Sequence, residues 1–219
     1  MRRILVPLAL AALACGCAPS ASENSALPKG EGYDFFVLSL TWSPSYCEIE
    51  GDDANRQQCA DGRELGFVVH GLWPQFEDGW PEFCAHDGPN RVPNALVGQY
   101  LDIMPSAGLM GHQWRKHGSC MGVSQEDYFR LVRAARQRIA IPPQYESPAK
   151  DASVAPDAVE AAFLAANPGM SAGGIAVSCD GRHLAEVRIC LTRDMEFRGC
   201  REVDARACRL KQAAMPAPD

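Results

Sequence analysis

Histidine and tryptophan are concentrated in two short segments of this 219-residue chain. The first is Phe67–Gln75 (FVVHGLWPQ), and the second is His112–Cys120 (HQWRKHGSC). Together they hold three of the five histidines and two of the four tryptophans. Two histidines can divide general-acid and general-base work, because each titrates near neutral pH. A lysine between them in sequence, Lys116, offers a compact cation for a phosphoryl oxygen.

RNA is a substrate that suits this set of side chains. Its own 2′-hydroxyl is the nucleophile, so a protein needs only to deprotonate it, protonate the leaving 5′-oxygen and stabilise the charge at phosphorus. A tryptophan face can stack on a nucleobase. The competing interpretation is structural, with each histidine at the end of an element and each tryptophan in the core. Clustering in two segments favours the chemical interpretation.

A metal site is the main chemical alternative. His112 and His117 are five positions apart, so they do not form the His-Glu-x-x-His pair of a helical zinc site. On a regular helix His112 shares a face with Lys116, and a cation beside a candidate ligand disfavours a bound metal ion. We therefore expect no metal and no other cofactor. Serine hydrolysis is also disfavoured, because the chain has no Gly-x-Ser-x-Gly string.

The N-terminus has the pattern of an export signal. A basic start precedes the apolar run Ile4–Ala14, and small residues follow to Ala21. The run is too short to cross a bilayer. We predict a signal peptide over residues 1–21 and a periplasmic or secreted protein. A lipoprotein signal that ends before Cys17 stays open as the alternative, and a lipid on that cysteine would be the only membrane tether.

Cysteine usage and charge narrow the class of protein further. Ten cysteines are present, and eight lie beyond the signal region, an even number that indicates disulfides in an exported chain. They contain no Cys-x-x-Cys pair, which disfavours structural zinc, and their spacing leaves the pairing open. A formal net charge of -6 argues against a broad basic surface wrapped around nucleic acid, so we expect no stable DNA complex. A small basic pocket for one phosphate is compatible with this charge.

The elements that must position the two segments form an α+β pattern, with a mostly antiparallel sheet and helices packed beside it. We predict a flexible lead-in over residues 22–32, one catalytic domain over 33–210 and a flexible tail over 211–219. Within the domain, 47–62 is interpreted as a loop, and 182–211 as a solvated face of alternating charges. The predicted strands are 33–42, 65–69 ending at His70, 174–177 and 184–191. The predicted helices are 94–104, 111–118, 124–139 with Ser124 as the cap, and 157–166.

The two histidine segments resemble the active-site segments of the ribonuclease T2 family and occur in the same order. Phe36–Cys47 (FVLSLTWSPSYC) resembles the family's first strand and its cysteine loop, and Ile189–Cys200 resembles its C-terminal strand and cysteine pair. The resemblance covers Tyr33 to Cys208. It implies a metal-independent endoribonuclease with the family's disulfide-bonded α+β fold. The family's reaction makes 2′,3′-cyclic phosphates and then hydrolyses them.

The resemblance also implies a role for each matching residue. His117 corresponds to the general base on the 2′-hydroxyl, and His70 to the general acid for the leaving oxygen. His112 corresponds to the phosphate-binding histidine, and Lys116 to the cation that stabilises the pentacovalent state. Trp73 corresponds to an aromatic residue of the base-binding pocket. The expected partner is an RNA substrate, and the protein is expected to be a monomer.

Three positions depart from the family pattern. The family usually has Glu where this chain has Gln113, which carries no charge and exchanges no proton near neutral pH. We keep Gln113 in the catalytic set, with its effect on His117 open. Gln75 stands where some members have an Asp that contacts the base, and Thr41 replaces a common Gln. The family's base preference is therefore not transferred, and we expect broad specificity.

The family pattern further implies four disulfides. The implied pairs are Cys47–Cys59, Cys84–Cys120, Cys179–Cys208 and Cys190–Cys200. The alternative function is a catalytically impaired member of the fold that binds RNA or a protein partner. Gln113 is the feature of the motifs that favours this alternative.

Overall fold

A computed structural model of the chain describes residues 26–218, so the predicted signal peptide and the lipidation alternative at Cys17 lie outside the described residues. Within that range, one sheet contains six strands. They are β1 Phe35–Trp42, β2 Phe67–Gln75, β3 Ala152–Val154, β4 Ile175–Asp180, β5 His183–Leu191 and β6 Ala213–Met215. The α-helices are α1 Ser43–Glu50, α2 Arg56–Cys59, α3 Asn94–Gly98, α4 Ala107–Lys116, α5 Gln125–Gln137, α6 Pro156–Ala166 and α7 Arg201–Asp204. No helix among these is long and apolar enough to cross a membrane.

The sheet is antiparallel apart from one contact, which confirms the predicted α+β class. Its order is β2-β1-β5-β6-β3, and β4 pairs with β5 as well. The parallel contact joins His183 of β5 to Ala214 of β6. Strand β1 therefore lies between the strand that carries the first histidine segment and the long C-terminal strand β5.

The alternation of side chains along β1 builds two cores. Phe36, Leu38, Leu40 and Trp42 are fully buried and belong to the larger core, which also takes in the apolar faces of α4 and α5. The opposite face of the sheet has a smaller core that includes Val37. Each large apolar side chain buried in this way contributes about 1.5–3 kcal/mol to folding. The sheet is therefore a rigid support for polar residues placed at its edge.

Helix α5 follows the predicted pattern closely. The Ser124 hydroxyl accepts a hydrogen bond from the backbone N–H of Asp127 at 3.1 Å, as expected of an N-cap. Tyr128, Leu131 and Val132 are buried on one face. This helix contacts both β1 and β2 and fixes the sheet beneath the histidine segments.

Several predicted boundaries are wrong. The predicted loop over 47–62 begins inside α1, whose N-terminal turn carries Pro44, and it also contains α2. The predicted helix over 94–104 ends at Gly98, a residue of low helix propensity. Strand β2 does not end at His70 but runs on to Gln75, because β1 supplies pairing partners along that length.

The C-terminal segment is part of the sheet, so the predicted flexible tail is wrong for residues 213–217. Strand β6 pairs with β3, and its residues Ala213 and Met215 are buried. The indole nitrogen of Trp42 donates to the Pro216 carbonyl at 2.8 Å. Alanine and proline have weak strand preference, so pairing partners from elsewhere in the chain hold this segment.

The described part of the predicted flexible lead-in is also held against the domain. The Tyr33 hydroxyl donates to the Lys29 carbonyl at 2.7 Å, and Arg193 donates to the same carbonyl at 2.9 Å. The Glu31 N–H donates to the Met121 carbonyl at 3.0 Å. These contacts tie Lys29 to Tyr33 and Arg193, and they tie Glu31 to the residue that follows the second histidine segment.

The four disulfides implied by the resemblance are present. They join Cys47 to Cys59, Cys84 to Cys120, Cys179 to Cys208 and Cys190 to Cys200. The Cys84–Cys120 bond connects the loop after β2 to the end of the second histidine segment. The two segments are thereby covalently linked outside the sheet.

Candidate active site

A β-bulge sets the direction of His70. In the pairing of β1 with β2, Ser39 lies opposite Gly71 and Leu40 lies opposite Val69, so His70 has no partner on β1. An extra residue of this kind bends the strand and re-aims its side chain. The His70 side chain is one-third exposed, in contrast to its fully buried neighbour Val69.

Helix α4 carries most of the second segment. Its first turn is capped by the Ser106 hydroxyl, which accepts from the Leu109 N–H at 3.1 Å. Gln113 points into the protein and is 1% exposed. His117 follows the last helical residue, and its N–H donates to the Gln113 carbonyl at 2.9 Å. Trp114 packs against Tyr128 in the core rather than lining the site.

Trp73 connects the two segments. Its ring is stacked on His117 at a centroid distance of 5.4 Å, and its edge meets His70 at the same distance. The indole N–H donates to Gln113 Oε1 at 2.8 Å. A Cβ atom at position 71 would overlap Gln113 Oε1 and lie 2.5 Å from the indole nitrogen, so this close approach requires Gly71.

The surroundings of His117 favour the neutral ring. Burial lowers the pKa of His117 to about 3, with further lowering by the positive charges of Lys116, His70 and His112. Its Nδ1 atom is buried and has no hydrogen-bond partner among residues 26–218. A neutral imidazole is the form that can accept a proton.

His112 and Lys116 lie toward the open side of the site. Burial, together with Lys116, Arg115 and His70, lowers the pKa of His112. The Lys116 ammonium is 3.6 Å from a carboxylate oxygen of Glu82. It is about one-third exposed, so the ammonium can be reached by an anionic ligand.

Two pockets flank these side chains. We call the first the tryptophan-side pocket; its lining includes Trp73, Gln75, Lys116, His117 and Arg188. We call the second the histidine-side pocket; its lining includes Thr41, Tyr46, His70, Ser106 and His112. The predicted substrate-binding residues Trp73 and Gln75 therefore share one pocket. The amide of Gln75 donates to the Pro74 carbonyl at 2.9 Å.

Two residues of the site were missed by the sequence analysis. Glu186 and Arg188 of β5 were assigned to a solvated face, but Glu186 is 8% exposed and contacts His70. Arg188 holds the same carboxylate and lies over the Trp73 ring at 5.3 Å. The signal in the sequence was the alternation of Glu186 and Arg188 with Val187 and Ile189, which gives β5 two different faces. Local sequence does not show that the polar face meets another strand's histidine.

The fold and the site together define a disulfide-bonded α+β protein equipped for acid–base chemistry between two pockets. The sequence matches the Ribonuclease T2 family over residues 33–200. A ribonuclease of Aeromonas hydrophila is 36% identical over 172 residues, which cover 76% of each chain. A probable ribonuclease of Haemophilus influenzae is 37% identical over 123 residues, 51% of this chain and 45% of that protein. The chain therefore belongs to the ribonuclease T2 family, and it is a T2-type ribonuclease.

Solved structures extend this likeness at the level of the fold. An RNase-related protein from Calystegia sepium has a TM-score of 0.66 and 18% identity, over 86% of this chain and all of that one. RNase NT, solved in complex with 5′-AMP, has a TM-score of 0.59 and 20% identity, over 85% of this chain and all of that one. At these identities the likeness is one of fold alone.

Proposed function

We propose that the protein cleaves single-stranded RNA by metal-independent transphosphorylation. The products are 2′,3′-cyclic phosphates, which are then hydrolysed to 3′-phosphates. The main support for this proposal is that His70 and His117 both contact Trp73 but have different surroundings. Nδ1 of His117 is buried and has no hydrogen-bond partner within residues 26–218, whereas His70 is bound to the carboxylate of Glu186. Such a difference in surroundings separates a base from an acid.

The steps follow from this division of roles. His117 accepts the proton of the 2′-hydroxyl as the oxygen attacks phosphorus, and His70 gives a proton to the 5′-oxygen as the P–O bond breaks. Lys116 and His112 stabilise the negative charge on the phosphoryl oxygens. Gln113 fixes the Trp73 indole through its hydrogen bond and thereby supports the ring stacked on His117. In the second reaction water takes the place of the 5′-oxygen and the two histidines exchange roles.

We assign the two pockets to the nucleotides on either side of the scissile phosphate. The tryptophan-side pocket offers the Trp73 ring and Gln75, and stacking on an aromatic ring tolerates every base. One N–H of the Gln75 amide is already engaged by the Pro74 carbonyl, which leaves fewer donors to read a base and supports broad base specificity. The complex of RNase NT with 5′-AMP shows a nucleotide bound by a protein of similar fold.

Export and a monomeric state complete the proposal. Four disulfides require an oxidising compartment, so we place the protein in the periplasm or outside the cell. A lipid on Cys17 is the alternative to soluble export.

The decisive experiment incubates the oxidised protein with a short RNA in EDTA between about pH 2 and about pH 9 and determines product masses. We expect a cyclic phosphate and a bell-shaped dependence of rate on pH. A folded, disulfide-bonded protein that cleaves at no pH would contradict the proposal. The alternative, an impaired member that binds RNA or a protein, would then lead, because Gln113 replaces the usual acid.

A further inference from the structure

The carboxylate of Glu186 bridges two residues of the site. One oxygen, Oε1, is hydrogen-bonded to Nδ1 of His70. The other, Oε2, accepts from Arg188 Nε at 2.9 Å and from Arg188 Nη2 at 2.7 Å. Both guanidinium donors converge on this one oxygen, so Arg188 anchors the carboxylate while Oε1 stays on His70. Arg188 itself lies over the Trp73 ring at 5.3 Å, so the bridge extends into the tryptophan-side pocket.

The sheet register explains how a residue of β5 reaches a residue of β2. Strand β1 separates them, and Glu186 lies opposite Thr41 of β1 and Ser178 of β4. Both neighbours are small and uncharged, which leaves the long Glu186 side chain room to cross β1. The bulge at His70 directs the ring back toward that position.

The charges around this pair leave Glu186 ionised. Burial alone would raise the pKa of Glu186, but the hydrogen bond and charge of His70, with Arg188, lower it to about 2. His70 in turn faces Glu186 from β5, and His112 and His117 of the second segment are the other titratable groups near it. Within the described residues, Glu186 is the carboxylate that contacts His70.

We propose that Glu186 is a positioning residue that orients His70 as general acid. This inference rests on the proposed function. Because Glu186 holds Nδ1–H, the opposite nitrogen, Nε2, faces the leaving 5′-oxygen and carries the proton to be donated. Nε2–H gives that proton to the oxygen as the P–O bond breaks, and the ring is left neutral, with the remaining proton on Nδ1 and hydrogen-bonded to Glu186. The carboxylate itself gains no proton.

The role also accounts for the amide at position 113. A glutamate there would bring a carboxylate to Trp73 and the base His117, whereas Glu186 brings one to the acid His70. This chain therefore keeps a negative charge beside the histidine that must be protonated. An uncharged amide, that of Gln113, holds the ring stacked on the histidine that must be neutral.

The test is a leaving-group comparison with Glu186→Gln. Two substrates are used: a dinucleoside phosphate, whose 5′-oxygen needs a proton to leave, and a uridine 3′-nitrophenyl phosphate, whose nitrophenolate leaves without one. We expect kcat to fall roughly 10- to 100-fold on the first substrate. On the second we expect a change of less than about 3-fold, because proton donation is not needed there.

Glu48→Gln is the matched control. Glu48 pairs with His183 at 3.0 Å, so the variant removes the same kind of carboxylate–histidine contact outside the site. It should leave both rates unchanged. Circular dichroism and disulfide mapping establish folding. If Glu186→Gln does not fold, Glu186→Asp carries the same substrate comparison and should show a smaller leaving-group-dependent loss.

Two results would overturn the inference. One is an equal loss on both substrates, which would indicate general damage to the site. The other is full activity of the folded variant on the dinucleoside phosphate. Failure of the proposed function would be seen separately. In that case the wild-type protein itself would form no cyclic phosphate from either substrate.

Discussion

His70 and His117 contact the same tryptophan but lie in opposite surroundings. His70 sits on a strand bulge, is partly exposed and is bound to a buried carboxylate. His117 sits at the end of a helix, is buried, and has lysine and two histidines as its charged neighbours. The motifs supply two identical side chains, and residues from other elements make them different. Protonation state is therefore a property of the fold rather than of the motif.

The largest expected effect comes from removing either ring. Both His70→Ala and His117→Ala should lower kcat on RNA by about 10²- to 10⁴-fold, the usual contribution of a general acid or base. An activated nitrophenyl leaving group should rescue His70→Ala, because it needs no proton, and should leave His117→Ala inactive. Steady-state kinetics on both substrates measure this difference. Equal rescue of the two variants would mean that their roles are not distinct.

Gly71→Ala should damage the contact that both histidines share. The added methyl group overlaps the Gln113 oxygen beside the Trp73 indole, so the ring must move. A displacement of about 1 Å at a catalytic site can cost about 100-fold in rate, and we expect a loss of that order in kcat. Gly98→Ala is the control, since a Cβ at that position meets no atom within 4 Å. Comparable losses in the two variants would contradict this explanation.

The disulfide beside the site should matter more for activity than one away from it. Replacing Cys84 and Cys120 by serine unties the loop after β2 from the end of the His117 segment, so activity should be lost at lower denaturant than secondary structure. Replacing Cys179 and Cys208 should cost a similar 2–4 kcal/mol or so of stability, with activity and structure lost together. Parallel titrations by activity and circular dichroism test this difference. Coincident curves for the Cys84–Cys120 variant would contradict it.

These comparisons also show what the sequence could reveal. The pattern of residues predicted the α+β class and helix α5 with its Ser124 cap, and it singled out both histidine segments. The contacts of Trp73 with His70 and His117 were not predicted. The resemblance implied all four disulfides. Strand β6 and residue Glu186 were not predicted, because each depends on partners far away in sequence. An Ala-Ala-Met run has little strand preference of its own, and a charged residue in an alternating strand ordinarily faces water.

Gln113→Glu should have the smallest effect. It is also the variant that best tests the contrast between His70 and His117. The new carboxylate still accepts from the Trp73 indole, but it brings a negative charge to the ring stacked on His117. It should raise the pKa of His117 from about 3, because an opposite charge favours the protonated imidazole.

Since the base must be neutral, the acidic limb of kcat/KM should move to higher pH, by about one unit for roughly 1.4 kcal/mol of interaction. The basic limb, which reports the acid held by Glu186, should stay in place. Gln113→Met, which removes the indole's acceptor without adding charge, should lower the rate without moving the acidic limb. A shift of both limbs in Gln113→Glu would show that the two histidines titrate as one coupled pair, and the division of roles between them would fail.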